Sequence, residues 1–143
     1  MNYTKYLVFI LLTVHVSLYS VNYADSHITI EIDQEITEPL VVRGNCAIDG
    51  NGFSLTFAAD GAIIVEDGSA LKLKNITING IRGTNIRCEG HRSRVSLKNV
   101  TWRLDENFSW QNGGFDILGN FNIANGVLDV MSGDKIKFTY ASG

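Results

Sequence analysis

The chain has 143 residues, of which 45% are apolar and 19% are charged, and its formal net charge at pH 7 is −3. This length fits one domain, and the apolar content is enough for a hydrophobic core, which excludes a disordered chain. The 14 glycines against a single proline indicate a fold that contains many tight turns.

The amino terminus predicts a secretory signal peptide over residues 1–24. Lys5 is the only charged residue in this stretch, and the segment from Tyr6 to Leu18 is mainly apolar. Such a segment is too short to cross a membrane as a helix but has the length of a signal-peptide core. An uncleaved membrane anchor is the alternative. The signal peptide predicts a secreted, periplasmic or cell-surface protein. Because no later segment is long enough to span a bilayer, we expect no membrane span after cleavage.

Residues 25–39 are the next predicted unit, an amino-terminal capping strand segment. Within it, residues 28–32 are Ile-Thr-Ile-Glu-Ile, and this alternation of apolar and polar side chains predicts a half-buried strand. Several acidic residues lie in or next to this strand, which would discourage another copy from stacking on that end.

A sequence repeat starts after the capping segment and predicts a solenoid over residues 40–143. The stretch 71–78, Leu-Lys-Leu-Lys-Asn-Ile-Thr-Ile, returns 24 residues later as Val-Ser-Leu-Lys-Asn-Val-Thr-Trp at 95–102. A looser copy, Asp-Ile-Leu-Gly-Asn-Phe-Asn-Ile, occupies 116–123. Repeats with a period in the low twenties are typical of solenoids. We place the coils at 40–60, 62–84, 85–107, 108–126 and 127–143, the last one incomplete.

Three short strands per coil are predicted from the apolar residues that alternate along each repeat. The inward positions are Leu40, Val42, Ile63, Val65, Ile86, Cys88, Phe108, Trp110, Leu128 and Val130 in the first strands; Cys46, Ile48, Leu71, Leu73, Val95, Leu97, Phe115, Ile117, Ile136 and Phe138 in the second; and Phe53, Leu55, Ile76, Ile78, Val100, Trp102, Phe121 and Ile123 in the third. Because equivalent strands recur once per coil, they would pair in parallel and enclose one apolar core. The predicted fold is therefore all-β, a three-sheet parallel β-helix of about four to five coils. A two-sheet sandwich is the alternative, but it would require hairpin turns and no fixed period.

The turns between the second and third strands carry four asparagines, Asn51, Asn75, Asn99 and Asn120. Asparagine tolerates the left-handed backbone conformation, and its amide can bond to an equivalent side chain on the next coil. We therefore predict a structural asparagine ladder. Together with the Ile-Asp-Gly-Asn-Gly turn at 48–52, this pattern resembles the right-handed parallel β-helix, or pectin-lyase-like, superfamily over residues 28–143. The resemblance implies a right-handed fold, and that superfamily includes polysaccharide lyases, hydrolases, phage tailspikes and adhesin passenger domains.

The residues offer little support for catalysis. Lyases and hydrolases of that superfamily work in a cleft walled by long loops over the first sheet, and the equivalent loops here are short. The residues that resemble a lyase's calcium ligands and arginine base are Glu66, Asp67, Glu89 and Arg87, but carboxylates in turns are commonly just solvated turn formers. His91 lacks a partner at metal-ligand spacing. We therefore expect no catalytic residues, no metal site and no cofactor.

Basic residues are concentrated in two coils. Eight of them lie between Lys72 and Arg103, where Glu89 is the only acid. Four of these, Lys72, Lys74, Arg94 and Lys98, fall on the outward side of the second sheet, on coils ~4.8 Å apart. They either keep the sheet face soluble or bind a polyanion, such as an acidic polysaccharide or a cell-envelope glycan.

The third sheet has a polar outward row, which would suit a neutral sugar: Ser54, Thr77, Thr101 and Asn122. Nucleic acid is not an expected partner of a secreted acidic protein that lacks exposed aromatic platforms. The sequence therefore favours a non-catalytic, secreted or surface-displayed β-helix used for adhesion or for binding of acidic polysaccharide. The alternatives are a carbohydrate-active enzyme, similar to a polysaccharide lyase or hydrolase, a fragment of such an enzyme, or a purely structural fragment.

Two further expectations concern the core and the carboxyl end. Cys46 and Cys88 occupy different inward columns, in coils one and three, about 10 Å apart along the axis. That distance exceeds the reach of a disulfide, so both thiols should be free and buried. Coil five ends before a third strand, and we expect its end to be uncapped, exposing parts of its inward residues, including Phe138. The chain would then self-associate end to end or be a truncation of a longer β-helix.

Overall fold

The computed structural model describes residues 17–18, 23–24 and 26–141. Its strands, in chain order, are β1 Ser17–Leu18, β2 Tyr23–Ala24, β3 His27–Thr29, β4 Gln34–Ile36, β5 Pro39–Arg43, β6 Asn45–Asp49, β7 Ser54–Phe57, β8 Ala62–Val65, β9 Ala70–Ile81, β10 Ile86–Cys88, β11 Arg94–Leu104, β12 Phe108–Trp110, β13 Gly114–Ile117, β14 Phe121–Ala124, β15 Val127–Ser132 and β16 Lys135–Ala141. Every pairing among these strands is parallel except that of β15 with β16. The stacked coils form a β-solenoid of about five turns, which confirms the predicted fold class.

Three faces of paired strands surround the core. The first sheet contains β2, β5, β8 and β10 in that order, followed by a separate set of β12, β15 and β16. The second sheet contains β3, β6, the first halves of β9 and β11, and β13. The third contains β1, β4, β7, the second halves of β9 and β11, and β14.

In coils two and three, the predicted second and third strands form one continuous strand and are not separate. Asn75 lies within β9 and Asn99 within β11, with φ angles of 52° and 55°. One residue in the left-handed conformation is enough to turn the chain through the corner. The strand therefore changes sheet without losing its pairing to the neighbouring coil.

The core consists of apolar side chains stacked in register from coil to coil. Leu71 pairs with Cys46 on one side and with Val95 on the other, and all three side chains are buried. Each such aliphatic side chain stabilises the fold by about 1.5–3 kcal/mol when fully buried. Both cysteines are free and buried, as predicted. Burial raises the pKa of the Cys46 thiol to about 11, so the thiol stays protonated near neutral pH.

The amino-terminal segment differs from the single capping strand that was predicted. β3 ends at Thr29, and the chain then turns so that β4 stacks on β7 in the third sheet, while β3 stacks on β6 in the second. Residues 26–39 therefore continue the coil pattern. Ile32, expected on the inward side of a continuing strand, lies in the turn and is 40% exposed.

The carboxyl end corrects the prediction of an uncapped fifth coil. β16 folds back antiparallel to β15, so Ile136 and Phe138 do not join the second sheet below β13. Leu128 and Val130 are buried rather than exposed. The ring of Tyr140 packs against Phe121, with centroids 5.4 Å apart, and helps to cover the last aromatic layer of the core. A hairpin therefore caps the first-sheet side of this end.

The predicted signal peptide, residues 1–24, lies outside the described residues except for the two-residue strands β1 and β2, and it stays a prediction. None of the described residues belongs to a helix that could span a lipid bilayer.

Candidate functional site

The four predicted basic residues lie together on the outer face of the second sheet. β9 and β11 alternate inward and outward side chains, so Lys72 and Lys74 project from one coil and Arg94 and Lys98 from the next. Lys98 is directly opposite Lys74 in the ladder. This arrangement concentrates positive charge on the face, and the two directly opposed lysines repel each other.

Carboxylates from neighbouring coils compensate part of this charge. The Lys74 Nζ lies 3.3 Å from an oxygen of Asp49, and the Arg94 Nε lies 3.7 Å from one of Asp116. Within the described part of the chain, Lys72 and Lys98 have no such ion pair. The face thus carries two paired and two unpaired cations. The two carboxylates were not among the residues predicted for this face, although the predicted columns already align Asp49 with Lys74.

Asp49 is the most heavily bonded polar group of this face. One oxygen accepts from the Asn51 backbone N–H at 2.9 Å and from the Asn75 amide at 3.3 Å, and the other lies near Lys74. Partial burial acts to raise the pKa of Asp49, but these hydrogen bonds and the lysine outweigh it and lower the pKa below its ordinary value. Asp49 therefore fixes both the corner of the sheet and the position of Lys74.

The asparagine row differs at both ends from the predicted four-membered ladder. The Asn99 amide donates to the Asn75 side-chain oxygen at 3.3 Å, and Asn75 in turn donates to Asp49. Asn51 has a φ of 50°, but its described side-chain contacts do not continue the row, because coil one has a longer corner. At Asn120 the corner is also longer, and Gly119 lies beneath Asn99.

The residues that resemble lyase ligands do not converge on one point. Glu66 pairs with Arg43 at 2.8 Å, and Glu89 pairs with Arg87 at 3.2 Å. Asp67 is bound by Arg92, whose guanidinium lowers the pKa of that carboxyl. Among the described residues, no group of three or more histidine, cysteine or carboxylate side chains is arranged to hold a metal ion. Each carboxylate thus pairs with its own arginine, Glu66 and Asp67 across neighbouring coils and Glu89 within its own coil.

The polar row of the third sheet runs in register across four coils. Ser54 pairs with Thr77, Thr77 with Thr101, and Thr101 with Asn122. These positions present short polar side chains on a regular surface. Arg103 lies on the same sheet, is exposed, and has no ion pair with another described residue.

A cleft of about 200 Å³ opens where the first sheet is interrupted between β10 and β12. Its lining includes Ile86, Cys88, Phe108 and Trp110. In the first-sheet columns, coil four places two aromatic side chains where coil three has Ile86 and Cys88. We attribute the missing pairing between β10 and β12 to this increase in side-chain size. That increase is visible in the sequence, but its effect on strand pairing is not.

No protein-family model, no curated protein and no solved structure matches this chain. We therefore infer a function from the geometry of the solenoid faces.

Proposed function

We propose that this protein is a non-catalytic binding or adhesion module that holds an acidic polysaccharide against the outer face of its second sheet. The observation that carries the proposal is the position of Lys98 directly opposite Lys74, where Asp49 is the only carboxylate of the described residues that pairs with either lysine. An anion bound at Lys98 would relieve the repulsion between the two lysines.

The shape and charge of this face suit a polymer better than a small ligand. Lys72, Lys74, Arg94 and Lys98 give four positive charges on two adjacent coils, and the flanking coils add two negative charges, from Asp49 and Asp116. The face is an open sheet surface, so a chain of acidic sugars can lie across it and contact several cations at once. Such contacts weaken with added salt, because they are exposed to solvent.

A matched pair of single substitutions on β11 tests this proposal. Lys98→Gln removes an unpaired cation from the second sheet, and Arg103→Gln removes one from the third sheet. Binding of polygalacturonate and of alginate would be measured by calorimetry at low and high salt. We expect Lys98→Gln to weaken binding about fivefold, since an exposed ion pair contributes up to about 1 kcal/mol. Arg103→Gln should leave the affinity nearly unchanged.

Equal losses from the two substitutions would mean that only net charge matters and would contradict a defined face. No binding of either polymer at low salt would contradict the proposal altogether. Release of unsaturated or reducing ends from the polymers would favour the enzyme alternative, which the arginine-paired carboxylates do not support.

We also propose a relationship to the pectin-lyase-like superfamily and a location outside the cytoplasm. A right-handed, pectin-lyase-like relationship accounts for the stacked corner asparagines and the three parallel strands per coil. A secreted, periplasmic or cell-surface location would give the basic face access to glycans. Proteomic detection of the chain in the extracellular or envelope fraction, with its new amino terminus near residue 20 or 24, would test both the location and the signal peptide.

A further inference from the structure

We propose that two copies of this chain associate through the carboxyl-terminal end of the solenoid, as a pair related by a two-fold axis. The surface in question consists of the free edges of β13 and β14, the corner at Leu118, and the strand β16.

Unpaired strand edges are the first observation. β13 and β14 each pair with β11 on one side, and no strand of the described chain pairs with their other side. A free edge exposes backbone N–H and C=O groups that can pair with another strand. The capping hairpin covers the first-sheet side of this end and packs Tyr140 against Phe121, but it leaves the strand edges of the other two sheets unpaired.

Exposed apolar side chains are concentrated at the same end. Ile117, Leu118 and Ile136 are 36%, 55% and 58% exposed. They are three of the four large hydrophobic side chains that are exposed in the described chain, and the fourth, Ile32, lies at the opposite end. A cluster of this kind next to open strand edges marks an interaction surface.

The shape of this end favours a second copy as the partner. β15 and β16 extend the first-sheet side by two strands beyond β12, whereas the other two sheets end at β13 and β14. The end is therefore stepped, because its first-sheet side extends farther along the solenoid axis than its other two sides. Two such steps fit together across a two-fold axis, with β16 of each copy lying over the open edges of its partner.

Charge complementarity supports the same arrangement. Lys135 and Lys137 flank Ile136 on β16, and neither has a carboxylate partner in the described part of its own chain. Asp116 lies on β13, at the edge that β16 of the other copy would cover, and within the described chain it has only the 3.7 Å contact with Arg94. The two-fold pairing therefore places unpaired lysines near an acidic residue, and apolar side chains near apolar side chains.

The test uses two substitutions within the surface and a matched one outside it. Ile136→Lys and Leu118→Lys each add a charge to the proposed contact, and Ile32→Lys makes the same change at an exposed position of the opposite end. Phe138 is a poor test position, because its ring packs within the chain against Tyr140, 5.5 Å away. Sedimentation velocity over a range of concentrations would report the mass, and circular dichroism would confirm that each variant is folded.

We expect the wild-type chain and Ile32→Lys to form dimers as the concentration rises, and Ile136→Lys and Leu118→Lys to stay monomeric at those concentrations. A wild-type chain that is monomeric throughout would overturn the proposal. A dimer that persists in both surface variants would overturn it as well. Growth beyond the dimer that Ile32→Lys abolishes would indicate head-to-tail stacking and would contradict the two-fold arrangement.

Discussion

At the scale of single residues, corner asparagines combine two properties that few other residues share. Asn75 and Asn99 adopt positive φ and also donate side-chain hydrogen bonds down the solenoid. Glycine could adopt the same backbone but could not donate, and glutamine could donate but would be strained. The identity of these residues is therefore fixed by backbone and side chain together.

Substitutions at Asn99 should separate these two contributions. Asn99→Gly keeps the backbone conformation and loses the bond to Asn75, whereas Asn99→Ala loses both. We expect Asn99→Ala to lower the free energy of unfolding by about 1–3 kcal/mol and Asn99→Gly to lower it less. Lys98→Ala, an exposed neighbour, should cost under about 0.5 kcal/mol. Equal shifts in urea unfolding for Asn99→Ala and Lys98→Ala would show that the corner asparagine has no structural role.

Asp49 predicts how stability depends on pH. Its pKa is lowered in the folded chain, so the folded state binds fewer protons than the unfolded state as the pH falls. The stabilisation from Asp49 is therefore present above the ordinary aspartate pKa of about 4 and is lost as the pH falls through the lower folded value. Urea unfolding of Asp49→Asn should show a deficit at neutral pH that shrinks at about pH 2. A deficit that is the same at both pH values would refute this role.

At the scale of elements, Trp102 joins coils three and four. Its indole is fully buried in β11 and packs against the rings of Phe115 and Phe121 in coil four, both 5.5 Å away between centroids. Its Nε1–H has no hydrogen-bond partner among the described protein atoms. The residue therefore stabilises the core through its volume and not through a polar contact.

Two replacements at Trp102 should differ in cost for that reason. Trp102→Ala leaves a large cavity and should lower the free energy of unfolding by about 3–5 kcal/mol. Trp102→Phe keeps an aromatic ring and removes a buried donor that lacks a partner, so its cost should be well below that of alanine. Thermal unfolding of the two variants would be compared with the wild type. A phenylalanine variant as unstable as the alanine variant would mean that the indole nitrogen makes a contact that stabilises the fold.

The elements also show which features of the fold the sequence can predict. The inward columns of coils one to four could be predicted, because period-two alternation and the coil period together determine the register. Those patterns do not determine strand direction, and β16 has the same alternation whether it runs parallel or antiparallel. The available signal was the two-residue loop Gly133-Asp134, with Gly133 at a φ of 62°, since such loops favour a hairpin. The predicted register also aligns Asp49 with Lys74 and places Asp116 on the coil next to Arg94, so these neighbours could have been predicted, whereas the side-chain conformations that form the ion pairs could not.

At the scale of the whole molecule, the solenoid separates its surfaces by role. The second sheet carries the basic face, the third carries a neutral polar row, and the carboxyl-terminal end carries the exposed apolar side chains. This separation follows from the repeat, since each outward position recurs as a column along the axis. It would allow the protein to bind a polymer on one face while its end contacts a second copy.

Chemical footprinting of the wild-type chain tests the binding face most directly. Lysine acetylation rates would be measured by mass spectrometry with and without saturating polygalacturonate at low salt. We expect the polymer to slow acetylation of Lys72 and Lys98 strongly and of Lys74 less, because Lys74 is already paired with Asp49. Lys135 and Lys137, on the terminal hairpin, should react at the same rate with and without the polymer. Uniform protection of all five lysines, or protection confined to the hairpin, would contradict binding on the second sheet.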